Sequence, residues 1–454
     1  MYQDLKYTDI QFDQKHILGQ LARFVAQRKN IVQAEYDKYA VKSKAKRDAH
    51  SQYIIFLDGL IEKLVGPGYC AGLTVLWLFG VSLDEQKSTD TRERDDAERF
   101  FATLAKISTW DGKSLLSEEL QKEFDVFLQK IEFYQNSNQY NPGYAQVDTI
   151  AQLEGVGADK KLTKFTKDRH IVGAFTLENF KHILGETIAE GRTIQIGSRN
   201  HVTGCYKAPG SQNILFYNPS SPSIVDATVG IDQALLAEKV FTAFAFKHDK
   251  PSPLSIVAST PHSKPALPFQ KSIKEVLDGT TIVNGGGDPF YEDGHTGLTM
   301  AAARDNIECS EYYLERKFDQ DTPTVDGLTA LSFISAREQK FMKNTAHIFA
   351  DEKMKGTQQM ASLTAMADKH KKLKQLFYTP EREAYQKSIT FRRKYWSWLM
   401  LALASHHVAE NFSILSSSAA SVYATVSRFS FFSTPALPAD AAADQDDELI
   451  FSAF

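Results

Sequence analysis

Val65-Gly66-Pro67-Gly68-Tyr69-Cys70-Ala71-Gly72-Leu73-Thr74-Val75-Leu76-Trp77-Leu78-Phe79-Gly80 is the stretch on which the reading of this chain turns. Gly66, Pro67 and Gly68 interrupt regular structure ahead of Cys70, and Leu73, Leu76, Trp77 and Phe79 return at helical intervals behind it. The pattern predicts a helix that starts at Cys70. Backbone N–H groups in a first helical turn lack intrahelical partners and carry partial positive charge. A thiol held there ionises more readily, and a developing oxyanion finds donors beside it. Cys70 is therefore a candidate nucleophile, and a structural Cys packed under a core helix is the other reading of the same residues.

Around this stretch, 454 residues exceed what one core usually organises, so two or three domains are expected. A hydrophobic share of 43% and a charged share of 24% are ordinary for globular domains. Lys and Arg number 52 against 56 Asp and Glu, so no basic excess points to nucleic acid. The three cysteines have no paired spacing; neither a disulfide framework nor a zinc site is expected, and a reducing compartment is. No cofactor and no metal are expected. Met1-Tyr2-Gln3-Asp4-Leu5-Lys6 lacks the basic flank and apolar core of a signal peptide, and the apolar run 396–404 is too short to cross a bilayer.

Upstream of the Gly-Pro-Gly break, 12–48 reads as helical through Ile17, Leu18, Leu21, Phe24, Val25, Ile31 and Val32, with Lys42, Lys44, Lys46 and Arg47 as a solvated basic end. A short amphipathic segment, 53–64, leads to the break. Downstream, the charged run 84–96 opens an insertion of about 83–164. Two helices are predicted in it, one through Phe100, Phe101, Leu104 and Ile107, the other from Ser117 through Phe124, Phe127, Leu128 and Ile131, with Ser117 as N-cap. A helical hairpin placed there is expected to cover the Cys70 side.

From His170 the period shortens. Ile171, Val172, Ala174 and Phe175 predict a strand, 177–188 a helix and 192–196 a strand. His201-Val202-Thr203-Gly204-Cys205-Tyr206 and Ile214-Leu215-Phe216-Tyr217-Asn218-Pro219 then flank Pro209-Gly210, which predicts an antiparallel hairpin with His201 on one strand and Asn218 at the end of the other. Both follow Cys70 at about 130–150 residues, the window of papain-like enzymes. Here the sequence resembles the papain-like (clan CA) cysteine proteases, and especially the bacterial effector branch typified by the Yersinia cysteine protease effector. The resemblance implies Cys70 as nucleophile, His201 as general base and Asn218 as the group that orients the imidazole. Asn218 stands where the effector branch has Asp. Papain-like enzymes also carry a Gln about six positions before the Cys to complete the oxyanion hole; Leu64 stands there, and no amide side chain lies between Tyr53 and Tyr69. Cys205 shares a strand face with His201 and reads as core.

A repeat follows. Asp293-Gly294-His295-Thr296-Gly297-Leu298-Thr299 is matched by Asp326-Gly327-Leu328-Thr329-Ala330-Leu331-Ser332, 33 residues on, which is the ankyrin period. Ser252-Pro253-Leu254-Ser255-Ile256-Val257-Ala258 is similar to the opening of an earlier repeat, with 271–277 as its second helix. Cys309 falls at a core position. Tyr291, Glu292, His295, Val325 and Leu328 are expected at turn tips as a partner-binding surface. Helices at 358–377 and 384–423 would cap the stack. The acidic and then apolar tail after Pro435 resembles a type IV (Dot/Icm) secretion signal, and the combination resembles the ankyrin-repeat effectors of Legionella.

The expected fold is α+β: an N-terminal helix (1–50), a papain-like cysteine protease-like domain (51–246) with the helical-hairpin insertion, a short all-α ankyrin-repeat array (247–345), a helical C-terminal cap (346–435) and a tail (436–454). The resemblance implies a bacterial effector delivered to the host cytoplasm, a cysteine hydrolase and most simply a protease, acting on a host protein recruited by the repeats. Acyl transfer or deamidation would use the same triplet. The alternative is an inactive protease-like fold that serves with the repeats as a binding scaffold.

Overall fold

The computed structural model of the chain describes residues 10–39, 44–66, 68–84, 96–135, 154–156, 162–198, 201–261, 268–280, 295–324, 327–351, 356–384 and 387. It is a mixed helix and antiparallel-sheet architecture, α+β in general terms. Five helices come first: α1 (Gln14–Tyr39), α2 (Lys44–Val65), α3 (Cys70–Asp84), α4 (Asp96–Thr109) and α5 (Glu118–Gln135). The strands are β1 (Glu154–Val156), β2 (Leu162–Phe175), β3 (Thr193–Gly197), β4 (Val202–Tyr206), β5 (Leu215–Tyr217) and β6 (Ser252–Pro261). They form one sheet in the order β1-β2-β6-β3-β4-β5, every neighbouring pair antiparallel. Helices α6 (Leu177–Thr187), α7 (Ile224–Thr228) and α8 (Gln233–Ala243) connect the strands; α9 (Ile273–Asp278), α10 (Gly297–Ala303), α11 (Ile307–Glu315), α12 (Ala330–Ala350) and α13 (Gln358–Phe377) follow them.

Alternation along the strands sorts the interior into two apolar clusters. Ile194 and Ile196 of β3, Leu254, Ile256 and Ala258 of β6, Cys205 and Phe216 join residues of α6 and α8–α13. Tyr206 and Tyr217, which alternate with Cys205 and Phe216, join α1–α5 instead. Helix α3 is the centre of that second cluster. Its Leu73, Val75, Trp77 and Leu78 are fully buried, worth roughly 2 kcal/mol each. It lies against β4 because Gly204 has no side chain: a Cβ there would meet Thr74 Cγ2 at 2.8 Å and Leu78 Cδ2 at 3.1 Å.

Helices α4 and α5 are where the sequence predicts the hairpin, and Ser117 Oγ accepts from the Leu120 N–H at 3.3 Å as its N-cap. They are core rather than a detachable cover: Phe100, Phe101, Leu104, Ile107, Phe124 and Ile131 are all buried in the α3 cluster.

Ser252–Ala258, expected to open a first repeat, belongs to β6, the fully buried strand between β2 and β3. A strand buried on both faces carries a continuous apolar run, which without alternation reads equally as a short helix. The sheet thus claims residues on both sides of the boundary expected at 246/247. The boundary expected at 345/346 falls inside α12.

The 33-residue repeat is present as two helix starts with the same cap. Thr296 with Thr299 opens α10, and Thr329 with Ser332 opens α12, each as a reciprocal capping box. α10 and α11 form a short helix pair, whereas α12 continues for 21 residues. The pair closes the open edge of β2. Asn306 Nδ2 donates to His170 O at 2.6 Å, Tyr313 Oη to Val172 O at 2.8 Å, and the Val172 N–H points to Cys309 Sγ at 3.4 Å. Backbone groups that would otherwise be an unpaired sheet edge are satisfied by these side chains. Among the described residues no single helix is long and apolar enough to cross a membrane.

Candidate active site

The structure joins His201 and Asn218 through their side chains, and sets α3, the helix that begins at Cys70, against β4. Cys70 is the first residue of α3, and the first intrahelical bond of that end runs from the Leu73 N–H to Tyr69 O at 3.0 Å. The N–H groups of Cys70, Ala71 and Gly72 therefore have no partner within the helix. The backbone of Cys70, Ala71 and Val202 draws the pKa of the Cys70 thiol down, by less than burial raises it. The last of the three N–H groups is taken by Gln135 at the end of α5, whose Oε1 accepts from the Gly72 N–H at 2.9 Å.

Val202 is the residue after His201, so α3 lies against the stretch of chain that carries the imidazole. Thr74 Oγ1 donates to Val202 O at 3.2 Å and pins α3 to β4 at the same place. Cys70 is 8% exposed, and burial pushes the pKa of its thiol up, against a smaller downward pull from the neighbouring backbone.

His201 is partly buried, between Asn218 on one side and Phe244, at 5.3 Å between ring centroids and nearly edge-on, on another. His201 Nε2 lies 2.7 Å from Asn218 Oδ1. That oxygen also accepts from the Ser220 N–H at 3.1 Å, which fixes the amide's orientation. An amide oxygen only accepts, so Nε2 carries the proton and Nδ1 holds the lone pair. Burial lowers the imidazole pKa and the bond to Asn218 pulls it back up, with a net depression. The Cys70 and His201 shifts together favour a neutral thiol and a neutral imidazole.

Asn218 is itself held. Tyr217, the residue before it, stacks on Trp77 at 5.4 Å, two turns along α3 from Cys70. Pro219, the residue after it, accepts from the Gln14 N–H at 2.8 Å, at the first residue of α1. The Gln14 side chain then reaches Gly68. A Cβ on Gly68 would collide with Gln14 Nε2, so Gly68 is the residue that admits this amide two positions before Cys70. Its Oε1 is buried and accepts no hydrogen bond among the described residues. Leu64, at the position where the resemblance implies an amide, is buried in the apolar cluster.

Tyr69, immediately before Cys70, donates through its hydroxyl to Glu132 of α5, which also pairs with Lys63 Nζ at 2.9 Å. The last turn of α5 thus grips the start of α3 on both sides of the thiol. Gln14, Gln135 and Glu132 carry no signal in the sequence, since only the packing of α1 and α5 brings them here.

The remaining cysteines are remote in character. Cys205 and Cys309 are fully buried free thiols; burial raises both pKa values, that of Cys309 to about 12. Among the described residues no group of three or more His, Cys, Asp or Glu side chains is placed to hold a metal ion.

Of the expected partner-binding tips, Tyr291, Glu292 and Val325 lie outside the described residues. His295 is corrected: it is 3% exposed, with its ring 5.2 Å from that of Phe333 in the first turn of α12, because the turn folds inward onto the next helix. Leu328 is half-buried, and its N–H donates to Thr324 Oγ1 at 3.2 Å. No family model, curated protein or solved structure matches the chain.

Proposed function

We propose that the protein is a thiol hydrolase, most simply a cysteine protease, with Cys70 as nucleophile, His201 as general base and Asn218 as the residue that orients the imidazole. The observation that carries this reading is the orientation of His201. Its Nε2–H is committed to Asn218 Oδ1, so the basic Nδ1 is the nitrogen that can serve a thiol, and the helix that begins at Cys70 is pinned through Thr74 to the adjacent Val202.

In the proposed reaction Sγ attacks a substrate carbonyl carbon as Nδ1 takes the thiol proton, giving a tetrahedral oxyanion and an imidazolium. The Cys70 and Ala71 N–H groups and the Gln14 amide are the nearby donors for that oxyanion. Collapse expels the leaving amine, which takes the proton from the imidazolium, and leaves a thioester. Water, deprotonated by Nδ1, then releases the acid and the thiol. The papain-like resemblance of the triplet is in keeping with this chemistry. The resemblance to ankyrin-repeat effectors extends the proposal to a secreted bacterial effector that acts on a host protein in the host cytoplasm, with α10–α13 as the recruiting part, and this extension rests on the sequence pattern.

The test is mass spectrometry of the full chain after incubation with an unstructured protein substrate and a peptidyl thioester-forming ester. An acyl adduct on Cys70, with cleavage absent in Cys70→Ala, supports the hydrolase. Binding of a partner protein by Cys70→Ala and wild type alike, without adduct or cleavage, supports the scaffold reading instead. That second reading draws on the burial and raised pKa of Cys70.

A further inference from the structure

Three consecutive polar residues, Arg304, Asp305 and Asn306, link α10 to α11 and are 6%, 4% and 6% exposed. Each is bound to a different part of the molecule. Arg304 Nη2 donates to Ser198 O at 2.8 Å, in the connection between β3 and β4. Asp305 Oδ2 meets Arg337 Nη1 of α12 at 3.0 Å and His370 Nε2 of α13 at 3.2 Å. Asn306 Nδ2 binds the β2 edge at His170 O, while its Oδ1 accepts from the Cys309 N–H at 2.9 Å and caps α11.

The corner is built at a cost to the backbone, since Asp305 has φ 51°, a left-handed conformation uncommon outside glycine. Buried ion pairs are also weak evidence for stability as such, because apolar replacements of similar volume are often as stable. Such a corner is better explained by what it fixes. Ser198, whose carbonyl Arg304 holds, donates its own N–H to His201 O at 2.9 Å. Polar contacts from α12 and α13 to Asp305, and from the next residue along the chain, Arg304, to Ser198 therefore connect those helices to the backbone of His201.

We infer that Arg304 is a positioning residue for His201, through which the C-terminal helices α12 and α13 set the imidazole against Asn218. The inference rests on the reading of His201 as the base of a thiol site. It gives those helices a part in the chemistry apart from any partner they recruit. Arg304 touches no reacting atom. It acts by holding Ser198, whose N–H donates to His201 O, in place, and a displacement of about 1 Å at such a base lowers rates by up to about a hundredfold.

The experiment is done on the full chain with Arg304→Gln and the milder Arg304→Lys. Two readouts are taken: NMR titration of the His201 imidazole, assigned by its loss in His201→Gln, and the rate of iodoacetamide alkylation of Cys70 followed by peptide mapping. Arg304→Gln is expected to move the His201 pKa from its depressed position toward about 6.5, as the ring leaves its buried contacts, and to slow Cys70 alkylation at pH 7 about tenfold. Arg304→Lys, which keeps a donor, is expected to lie between it and wild type. An unchanged His201 titration in folded Arg304→Gln, or in Arg304→Lys alone if the first variant does not fold, overturns the inference whatever happens to the melting temperature. A shifted titration with Cys70 alkylation equally insensitive to His201→Gln leaves the positioning in place and overturns the hydrolase reading.

Discussion

Asn218 Oδ1 receives two donors at once, His201 Nε2–H at 2.7 Å and the Ser220 N–H at 3.1 Å, so the amide cannot turn over without losing both. This relationship leaves the lone pair of the neutral imidazole on Nδ1, the atom proposed as the base. Asn218→Ala is expected to lower Cys70-dependent turnover about a hundredfold, within the range that positioned proton transfer supplies. Asn218→Asp, which keeps the acceptor, should retain most of it. Steady-state kinetics on the two variants checks this, and equal loss in both would mean that the acceptor is not what matters.

The pH dependence follows from the direction of two shifts. His201 has a depressed pKa and acts in its neutral form, so activity should be full at pH 7 and fall on acidification, with a midpoint below the ordinary value of about 6.5. The raised Cys70 pKa argues against a thiolate already present in the resting protein. A pH profile of kcat/KM with its acid limb below about 6.5, still above the range of a strongly acidic thiol, is expected. A plateau that persists to about pH 4 would instead indicate a preformed thiolate–imidazolium pair.

Gln14 is the amide that stands by Gly68, two residues before Cys70. Gln14→Ala is expected to reduce kcat by about two decades, the typical loss for one oxyanion donor. Stability should change by less than about 0.5 kcal/mol, as for side chains outside the core. The comparison of kcat with thermal unfolding separates the two effects; a kcat within a factor of about three of wild type would exclude Gln14 from the site.

Much of this site is legible in the sequence, and the reasons are local. Gly66 to Gly68 stop one helix and the apolar periodicity from Leu73 starts the next, which places Cys70 at α3's first residue. Pro209-Gly210 between two β-branched and aromatic runs gives the β4–β5 hairpin, and so brings His201 near Asn218. What the sequence hides is tertiary. Ser252–Ala258 carries no alternation because β6 is buried on both faces, and Gln14 and Gln135 reach the α3 terminus only because α1 and α5 pack on it. His295 looks like an exposed turn residue until Phe333 covers it.

The hairpin α4–α5 cannot be removed as a lid. Its deletion takes Phe100, Phe101, Phe124 and Ile131 out of one apolar cluster, and loss of a single such Phe costs about 3 kcal/mol or more. Replacement of α4–α5 by a Gly-Ser bridge is therefore expected to abolish cooperative unfolding in circular dichroism. A folded deletion with faster Cys70 labelling would restore the lid.

Asp305 tests the C-terminal corner by stability. Burial raises its pKa, but Arg337, His370 and Lys369 outweigh burial and hold the carboxyl below its ordinary 3.8. A depressed folded pKa gives stability that is complete above the unfolded value of about 3.9 and lost as the pH falls toward the folded one. Asp305→Asn should destabilise by about 3 kcal/mol at pH 7, as expected for one partner removed from a buried pair, and by progressively less below about pH 4. Denaturant midpoints at pH 7 and pH 3 decide it: a penalty of equal size at both would show that the charge is not the source.

The central claim is that Cys70 is the one thiol activated by an imidazole. A cysteine-directed peptidyl epoxide applied to the folded full chain at pH 7, followed by peptide mapping, measures this most directly. Cys70 is expected to be labelled while Cys205 and Cys309, fully buried, are not, and His201→Ala should slow the labelling by about two decades. Labelling of Cys70 at the same rate in His201→Ala, or none at Cys70 in the folded chain, would contradict it.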